Sequence, residues 1–343
     1  MPEDIVADAA SAESARAAAL RPPSRLITWR LGRDTREGAT MRDLSKRPSS
    51  GEEAAKRSDR VTLTVFLAQV VFGGANAVAI RFANDELAPL WGATLRFGVA
   101  ALVFIALMAV ARQRPPRGRA LTGLVVFGVV NFGAGYGLVH WGLVGATASL
   151  TQIILALVPL ITLLMAAAIR LERFRPRGLA GALVALAGIA VVFGQQLRAD
   201  VPAWSMAAVF GTAVCWAAAT IIVKWFPPSH PFTTNAVAMT VGCALLFGAS
   251  LALGEPRAMP AEASTWLALG YLAIVGSVGL FLTYLFVLRR WTATAASYQF
   301  VLYPLSTIVI AAAIAGERVT LSLLAGGALV LAGVYVGAFG RRR

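Results

Sequence analysis

The stretch that decides the fold runs from Thr147 to Gly188 and reads TASLTQIILALVPLITLLMAAAIRLERFRPRGLAGALVALAG. Shifted by 145 residues, it aligns without a gap with residues 292–333, TATAASYQFVLYPLSTIVIAAAIAGERVTLSLLAGGALVLAG. The two copies share a Thr-Ala start, a Pro-Leu pair, a Glu-Arg pair and a Leu-Ala-Gly end. An ungapped internal repeat of this length indicates a chain built from two related halves.

Apolar segments surround the repeat from residue 61 onward, and each is close to the roughly 20 residues that a helix needs to cross a hydrocarbon core. We count ten of them: 61–82, 88–111, 120–141, 146–169, 178–194, 203–223, 232–253, 265–288, 292–315 and 319–340. They are apolar on all sides, which favours helices over a membrane barrel. Because each half has an odd number of helices, five, the second repeat has the opposite orientation in the membrane to the first. The sequence predicts an all-α integral membrane protein with ten transmembrane helices in two inverted repeats, 61–195 and 203–340.

The composition excludes a soluble enzyme. Of the 343 residues, 58% are hydrophobic and 14% are charged, whereas soluble chains average about 45–50% and about 25%. Cys215 and Cys243 lie in apolar runs without metal-ligand spacing, so neither a disulfide framework nor a zinc site is predicted. We expect no metal and no cofactor.

The net charge of +14 is distributed as a membrane topology signal. The loops after the second and fourth segments each carry four arginines, in 112–119 and 170–177. Short cytoplasmic loops retain such cations, so the pattern predicts that both termini are cytoplasmic. Because the cations lie in loops and do not form one basic face, nucleic acid is not an expected partner.

The first 60 residues are polar and contain no apolar run long enough to span a membrane. We interpret residues 1–60 as a disordered cytoplasmic tail. The sequence at Met41 looks like an ordinary translation start, so translation from Met41 is a hypothesis. An intact mass of the native protein that includes residues 1–40 would exclude this hypothesis.

Several motifs resemble one family of transporters. They are Phe72-Gly73-Gly74, Leu95-Arg96-Phe97, Thr147-Ala148 with Thr292-Ala293, the prolines 159 and 304, and Gly316-Glu317-Arg318. Over residues 61–340 the chain resembles the EamA-type ten-helix proteins of the drug/metabolite transporter superfamily. The resemblance implies a central cavity lined by helices 1, 3 and 4 and by helices 6, 8 and 9. It also implies that helices 5 and 10 mainly pack, with a homodimer contact as one option.

Arg96 stands in the second apolar segment, about 10 Å along the helix from Pro89. A guanidinium at this depth in a core of about 30 Å is costly without a partner. In one interpretation it binds an anionic group of the substrate. In the other, which we favour, it bonds backbone carbonyls and holds the bundle together.

Uncharged polar and aromatic residues near the middle of the membrane are the other cavity candidates. They are Asn76, Asn131, Tyr136, Gln152, Trp216, Thr283, Tyr284, Gln299 and Tyr303. Each amide or phenol needs a partner in the membrane, either a neighbouring helix or a substrate. Taken singly, an interhelical hydrogen bond is the commoner outcome. Taken together, these side chains suit a zwitterionic or amphipathic metabolite such as an amino acid.

Two further features bear on mechanism. Pro159 and Pro304 occupy equivalent positions in the fourth and ninth segments, where proline either acts as a hinge or fixes a static kink. His140, at the outer end of the third segment, is a candidate for proton coupling, although an imidazole at the membrane interface is the simpler interpretation.

These features predict a multi-pass transporter of the bacterial inner membrane that exports small metabolites, most of all amino acids or related compounds. Its expected partners are a small-molecule substrate and the lipid bilayer. Export of amphipathic drugs and uptake of nutrients are the alternatives within transport. An intramembrane enzyme is the alternative of another class, but paired membrane aspartates and a His-Glu-x-x-His motif are both missing from the sequence.

Overall fold

The computed structural model describes residues 50–171, 176–196, 201–316 and 319–339. Most of the predicted tail 1–60, Met41 and the Glu-Arg pairs 172–173 and 317–318 lie outside this part of the chain. The first helix begins at Ser50, within the predicted tail. Residues 51–60, GEEAAKRSDR, consist mainly of good helix formers, which explains this early start.

The described residues form helices and no strands, at all ten predicted positions. We label them α1 Ser50–Asn84, α2 Pro89–Val110, α3 Arg119–Gly142, α4 Ala148–Ala168, α5 Pro176–Gln196, α6 Ala203–Trp225, α7 Pro231–Ala252, α8 Ala263–Arg290, α9 Ala293–Ile314 and α10 Leu321–Phe339. Eight of them, all but α5 and α10, are long and apolar enough to cross a membrane. For α5 and α10, crossing the membrane stays a prediction.

Repeat-related helices begin alike and are irregular in related places. Thr147 caps α4 by accepting a bond from the Leu150 N–H at 3.2 Å, and Thr292 caps α9 through the Ala295 N–H at 3.1 Å. A π-helical turn occupies Gly128–Gly135 in α3 and Ile274–Gly279 in α8. These two segments coincide when the chain is shifted by 145 residues, so both repeats carry the irregularity.

Glycines allow α5 and α10 to pack closely against each other. A Cβ on Gly188 would lie 2.7 Å from the Gly326 carbonyl oxygen, and one on Gly333 would lie 2.5 Å from the Ala185 nitrogen. Gly188 and Gly333 are themselves repeat-related, so the contact is approximately symmetric. Small residues that bring backbones together are the usual means of packing membrane helices, and here they join the two halves.

Two glutamates tie the halves together at the opposite end of the bundle from the arginine-rich loops. Glu255, after α7, accepts bonds from the Leu90 and Trp91 N–H groups at 3.1 and 2.9 Å and so caps α2. Glu86, after α1, accepts bonds from the N–H groups of Ala261 and Glu262, just before α8. A carboxylate at a helix N-terminus satisfies backbone donors that lack helical partners.

Candidate functional site

A central cavity lies between six helices, α1, α3 and α4 of the first repeat and α6, α8 and α9 of the second. Eight of the ten cavity candidates line it: Asn76, Asn131, Tyr136, Gln152, Trp216, Tyr284, Gln299 and Tyr303. Arg96 does not line it. Substrate contact by the eight stays a prediction, but the structure brings them around one space.

The polar lining is uncharged and offers both donors and acceptors. The buried lining atoms without a hydrogen-bond partner are Gln69 Nε2 and Oε1, Asn76 Oδ1, Asn131 Nδ2, Gln152 Oε1, Trp216 Nε1 and Gln299 Oε1. A buried amide or indole left unpaired costs about 1–3 kcal/mol. A bound solute with its own donors and acceptors would remove part of that cost. The unpaired atoms of the lining therefore favour binding of a polar solute.

The cavity is small in this conformation, at about 40 Å³. A water molecule needs about 10–15 Å³ of such space, so only a few fit. Aromatic rings form much of the wall: Trp216 lies 5.3 Å from the Phe300 ring and 5.0 Å from the Tyr136 ring, centre to centre. Admission of a larger solute therefore requires these rings or their helices to move.

Helices α1 and α9 approach each other closely at the wall of the cavity. A Cβ on Gly73 of α1 would clash with the ring of Tyr303 on α9. The missing side chain lets the phenol lie directly against the α1 backbone. The Phe72-Gly73-Gly74 motif thus has a steric reason at Gly73, and it places Tyr303 on the cavity wall.

Arg96 is completely buried between α2 and the π turn of α8. Its Nε donates to Ser277 Oγ at 2.8 Å and its Nη2 donates to the Gly276 carbonyl at 2.7 Å. The guanidinium carbon also lies 4.8 Å from the centre of the Tyr136 ring. These are the contacts of the interpretation that we favoured, in which arginine bonds a backbone carbonyl. Anion binding by Arg96 stays a prediction, and its Nη1 has no partner.

Asn76 connects the cavity to this arginine. Its Nδ2 donates to the same Gly276 carbonyl at 3.3 Å, while the side chain lines the cavity. The π turn makes the carbonyl available, because helix bonds within such turns skip to more distant partners. Asn76 and Arg96 therefore share one acceptor, the Gly276 carbonyl.

His140 is enclosed by the protein, and its position relative to the membrane interface stays a prediction. Its side chain is 0% exposed, and both ring nitrogens are buried without a partner. The end of α3 is covered by α6 and α2, and Asn84 of α1 donates to the His140 carbonyl at 2.8 Å. His140 does not line the central cavity, and proton coupling through it stays a prediction.

The two prolines occupy different local structures. Pro159 is not inside a continuous helix: α4 is interrupted at residues 156–157, and Pro159 stands in the first turn of Val158–Ala168. Proline is tolerated there because the first N–H groups of a helix have no helical partner. Pro304 lies inside the helix Gln299–Ile314. A hinge role for either proline stays a prediction.

Sequence reasoning missed part of the lining and placed two residues, Arg96 and Thr283, in a cavity that they do not line. Gln69, Phe281 and Phe300 line the cavity, and a polar residue inside an apolar segment was a signal for Gln69. Thr283 does not line it, because its hydroxyl donates to the carbonyls of Gly279 and Leu280 in its own helix. Among the described residues, no three His, Cys, Asp or Glu side chains are grouped so that they could hold a metal ion.

Comparison with known proteins places these features in a family. The inner membrane transporter YedA of Escherichia coli strain K12 is 26% identical over 274 residues, which cover 78% of this chain and 87% of that protein. The "Probable amino-acid metabolite efflux pump" of the same strain is 28% identical, covering 80% and 93%. The "Probable terminal-alkyne amino-acid exporter" of Streptantibioticus cattleyicolor is 28% identical, covering 67% and 78%.

The fold also has a solved counterpart. One crystal structure matches 82% of this chain and 97% of its own with a TM-score of 0.64, at 20% sequence identity. The EamA-like transporter family matches residues 61–194 and again residues 203–338. Two family matches, one in each repeat, cover most of the chain: it belongs to the EamA-like transporter family.

Proposed function

We propose that this protein exports amino acids or closely related metabolites across a bacterial inner membrane, by alternating access between the repeats 61–195 and 203–340. The observation that carries the proposal is the central cavity, whose unpaired amide and indole groups come from both repeats. The names of the relatives, two of which refer to amino-acid export, support it.

The chemistry of the lining supports a small polar solute with an apolar part. Amide oxygens of Asn76, Gln152 and Gln299 accept hydrogen bonds from an amino group, and the Asn131 amide and Trp216 indole donate to oxygen. Trp216, Phe281 and Phe300 provide contact for an apolar side chain. The same aromatic wall supports the second candidate, export of amphipathic drugs. Uptake in place of export is the third.

Counterflow in proteoliposomes tests the proposal. Vesicles loaded with one amino acid or metabolite are diluted into the same compound with label, with and without a pH gradient. We expect saturable uptake of label for one class of amino acids. Counterflow of amphipathic drugs alone would favour the second candidate, and no counterflow by folded protein would refute transport of the tested compounds.

A His140→Ala variant in the same assay tests proton coupling. If His140 carries the proton, the variant loses the effect of the pH gradient but keeps counterflow. Unchanged gradient dependence would dismiss His140 as the coupling group.

Both termini are proposed to face the cytoplasm, which the arginine-rich loops 112–119 and 170–177 support. Fluorescent and alkaline phosphatase fusions to the C-terminus test this, since the first is active only inside and the second only outside. A homodimer is a further proposal, to be tested by the mass of the purified protein. Because the glycines of α5 and α10 contact each other, a dimer contact would use other faces of these helices.

A further inference from the structure

Arg96 is a buried cation that lies one side chain away from the central cavity. The guanidinium carbon lies 4.8 Å from the centre of the Tyr136 ring, and Tyr136 lines the cavity. A Cβ on Gly276 would clash with Asn76 Oδ1 and would lie 3.4 Å from Arg96 Nη2. Asn76, which also lines the cavity, therefore covers the same turn of α8 as Arg96. A single layer of side chains separates the positive charge from the cavity.

The hydrogen-bond partners of Arg96 do not neutralise its charge. Its Nε and Nη2 donate to a hydroxyl and to a backbone carbonyl, and its Nη1 has no partner. Within the described ranges, the lining of the cavity includes no Asp or Glu. Buried charges in proteins are normally paired with an opposite charge. The positive potential of Arg96 therefore extends into the cavity, where it favours an anionic group.

Two unpaired hydrogen-bond donors of the cavity belong to residues beside the Tyr136 ring. The Trp216 ring lies 5.0 Å from it, centre to centre, and a Cβ on Gly135 would lie 2.7 Å from Trp216 Nε1. The indole nitrogen thus lies against the α3 backbone, next to Tyr136. Asn131 lies on the same side of α3, because the Tyr136 N–H donates to the Asn131 carbonyl across the π turn. Asn131 Nδ2 and Trp216 Nε1 are both buried without a partner.

Two neutral donors with a positive charge behind them fit a carboxylate. A carboxylate only accepts hydrogen bonds, and neutral donors satisfy its oxygens without offsetting its charge. An oxygen held beside the Tyr136 ring would lie about 8 Å from the guanidinium carbon. With an effective dielectric constant of about 20, the attraction of two unit charges at this distance corresponds to about a thirtyfold gain in affinity.

We propose that the carboxylate of the transported compound binds beside Tyr136, at a site formed by Asn131, Tyr136 and Trp216, which we call the anion subsite. Asn131 and Trp216 donate to the carboxylate. Arg96 does not contact the substrate: it is a positioning residue whose charge acts through the Tyr136 ring. The inference rests on the proposed function and narrows its substrate class to compounds with a carboxylate. The unpaired amide oxygen of Gln299 is then available to the amino group.

Counterflow of an amino acid and of its carboxamide tests the anion subsite. The two compounds have nearly the same shape, and at slightly acid pH both carry an ammonium group, but only the acid carries a carboxylate. For the wild type we expect the KM of the acid to be about tenfold lower than that of the carboxamide. Equal KM values for the two compounds would overturn the proposal.

Replacement of Arg96 separates its charge from its structural role. Arg96→Gln removes the charge and Arg96→Lys keeps it, whereas both lose the two directed bonds of the guanidinium. We expect Arg96→Gln to raise the KM for the acid about tenfold. The same variant should lower the KM for the carboxamide, whose ammonium is no longer repelled.

Arg96→Lys should keep the preference of the wild type for the acid. Lost packing alone would change the KM of both compounds in the same direction. The same ratio of the two KM values in the wild type, Arg96→Gln and Arg96→Lys would therefore overturn the role of the charge.

Two amides of the lining give a matched test that leaves Arg96 in place and that holds even where its variants do not fold. We expect Asn131→Leu to raise the KM for the acid more than for the carboxamide, because a hydrogen bond to an ionised group is the stronger one. Gln299→Leu removes an acceptor for the ammonium, so it should raise both KM values equally. Equal effects of Asn131→Leu on the two compounds, or a selective effect of Gln299→Leu on the acid, would overturn the position of the subsite.

The wild type distinguishes failure of this inference from failure of the proposed function. Absence of counterflow for every compound would refute transport of the tested compounds, and this inference with it. Counterflow of the acid and the carboxamide with equal KM values would leave the proposed function intact and refute the anion subsite alone.

Discussion

Replacement of Gly333 by alanine tests how α5 and α10 join the two repeats. The added Cβ would lie 2.5 Å from the Ala185 nitrogen and 3.0 Å from its Cα, and would also meet the Gly181 carbonyl. These are backbone atoms, so they cannot turn aside, and α10 has to move outward by about 1 Å. Overpacking of this kind costs about 1–3 kcal/mol.

The same helix offers a matched control. A Cβ on Gly327 would meet no atom within 4 Å, and alanine in an open helical position gains about 0.5–1 kcal/mol over glycine. Gly333→Ala and Gly327→Ala should therefore differ by about 2–4 kcal/mol in the free energy of unfolding.

Thermal unfolding of the detergent-solubilised protein, followed by size-exclusion fluorescence, measures this difference. With about 2–4 °C per kcal/mol, we expect Gly333→Ala to unfold about 4–16 °C below Gly327→Ala. Gly188→Ala should resemble Gly333→Ala, and the double variant should lose less than the sum because the same contact opens once. Equal midpoints for Gly333→Ala and Gly327→Ala would show that the close packing does not stabilise the fold.

Three further changes have defined outcomes. Arg96→Lys should lower the free energy of unfolding by about 1–3 kcal/mol, because one ammonium cannot reproduce the two directed bonds of the guanidinium. The same thermal assay measures this, and an unfolding midpoint equal to that of the wild type would contradict it. Trp216→Phe should raise the KM of counterflow severalfold at constant maximal rate, because it removes an unpaired indole donor from the cavity. An unchanged KM would argue against contact between Trp216 and the substrate. Glu86→Gln should lower the unfolding midpoint at neutral pH. Bonds from the Ala261 backbone and then the Thr265 side chain hold the pKa of Glu86 below its ordinary value of 4.5. Because the ionised form is the bonded one, its contribution is complete above about pH 4.5 and is lost as the pH falls through the lowered pKa. The difference from wild type should shrink in that acidic range, and a constant difference would refute the assignment.

The helices could be predicted from the sequence because a hydrocarbon core imposes a length on every apolar segment. Hydropathy does not report how the backbone bonds inside a segment. The interruption of α4 at 156–157 and the π turns in α3 and α8 are therefore absent from the prediction. The capping of α2 by Glu255 could not be predicted either, since it joins residues that are more than 160 positions apart.

The cavity lining could largely be predicted because amides and phenols are rare and costly within membrane helices, so their presence marks an inner face. The same reasoning could not locate His140, because hydropathy gives no information on whether another helix covers the end of α3. The sequence also could not show that Arg96 lies outside the cavity. Its depth in the membrane follows from its place along the helix, but the direction in which its side chain points around the helix does not. Gln69 carries the same signal, a polar side chain inside an apolar segment, but it is not among the candidates named from the sequence.

The π turn in α3 determines which side chains of that helix share a face. An α-helix turns about 100° per residue. In an uninterrupted helix, Gly123, Leu124 and Phe127, which line a second cavity near the start of α3, would therefore point about 150° away from the central-cavity residues Tyr136, Val139 and Leu143. One extra residue in Gly128–Gly135 takes up about 100° of that angle and brings both sets to within about 50°. Deletion of a single residue there would leave two intact half-helices whose lining faces no longer coincide, so continuity along α3 depends on its register more than on any one side chain.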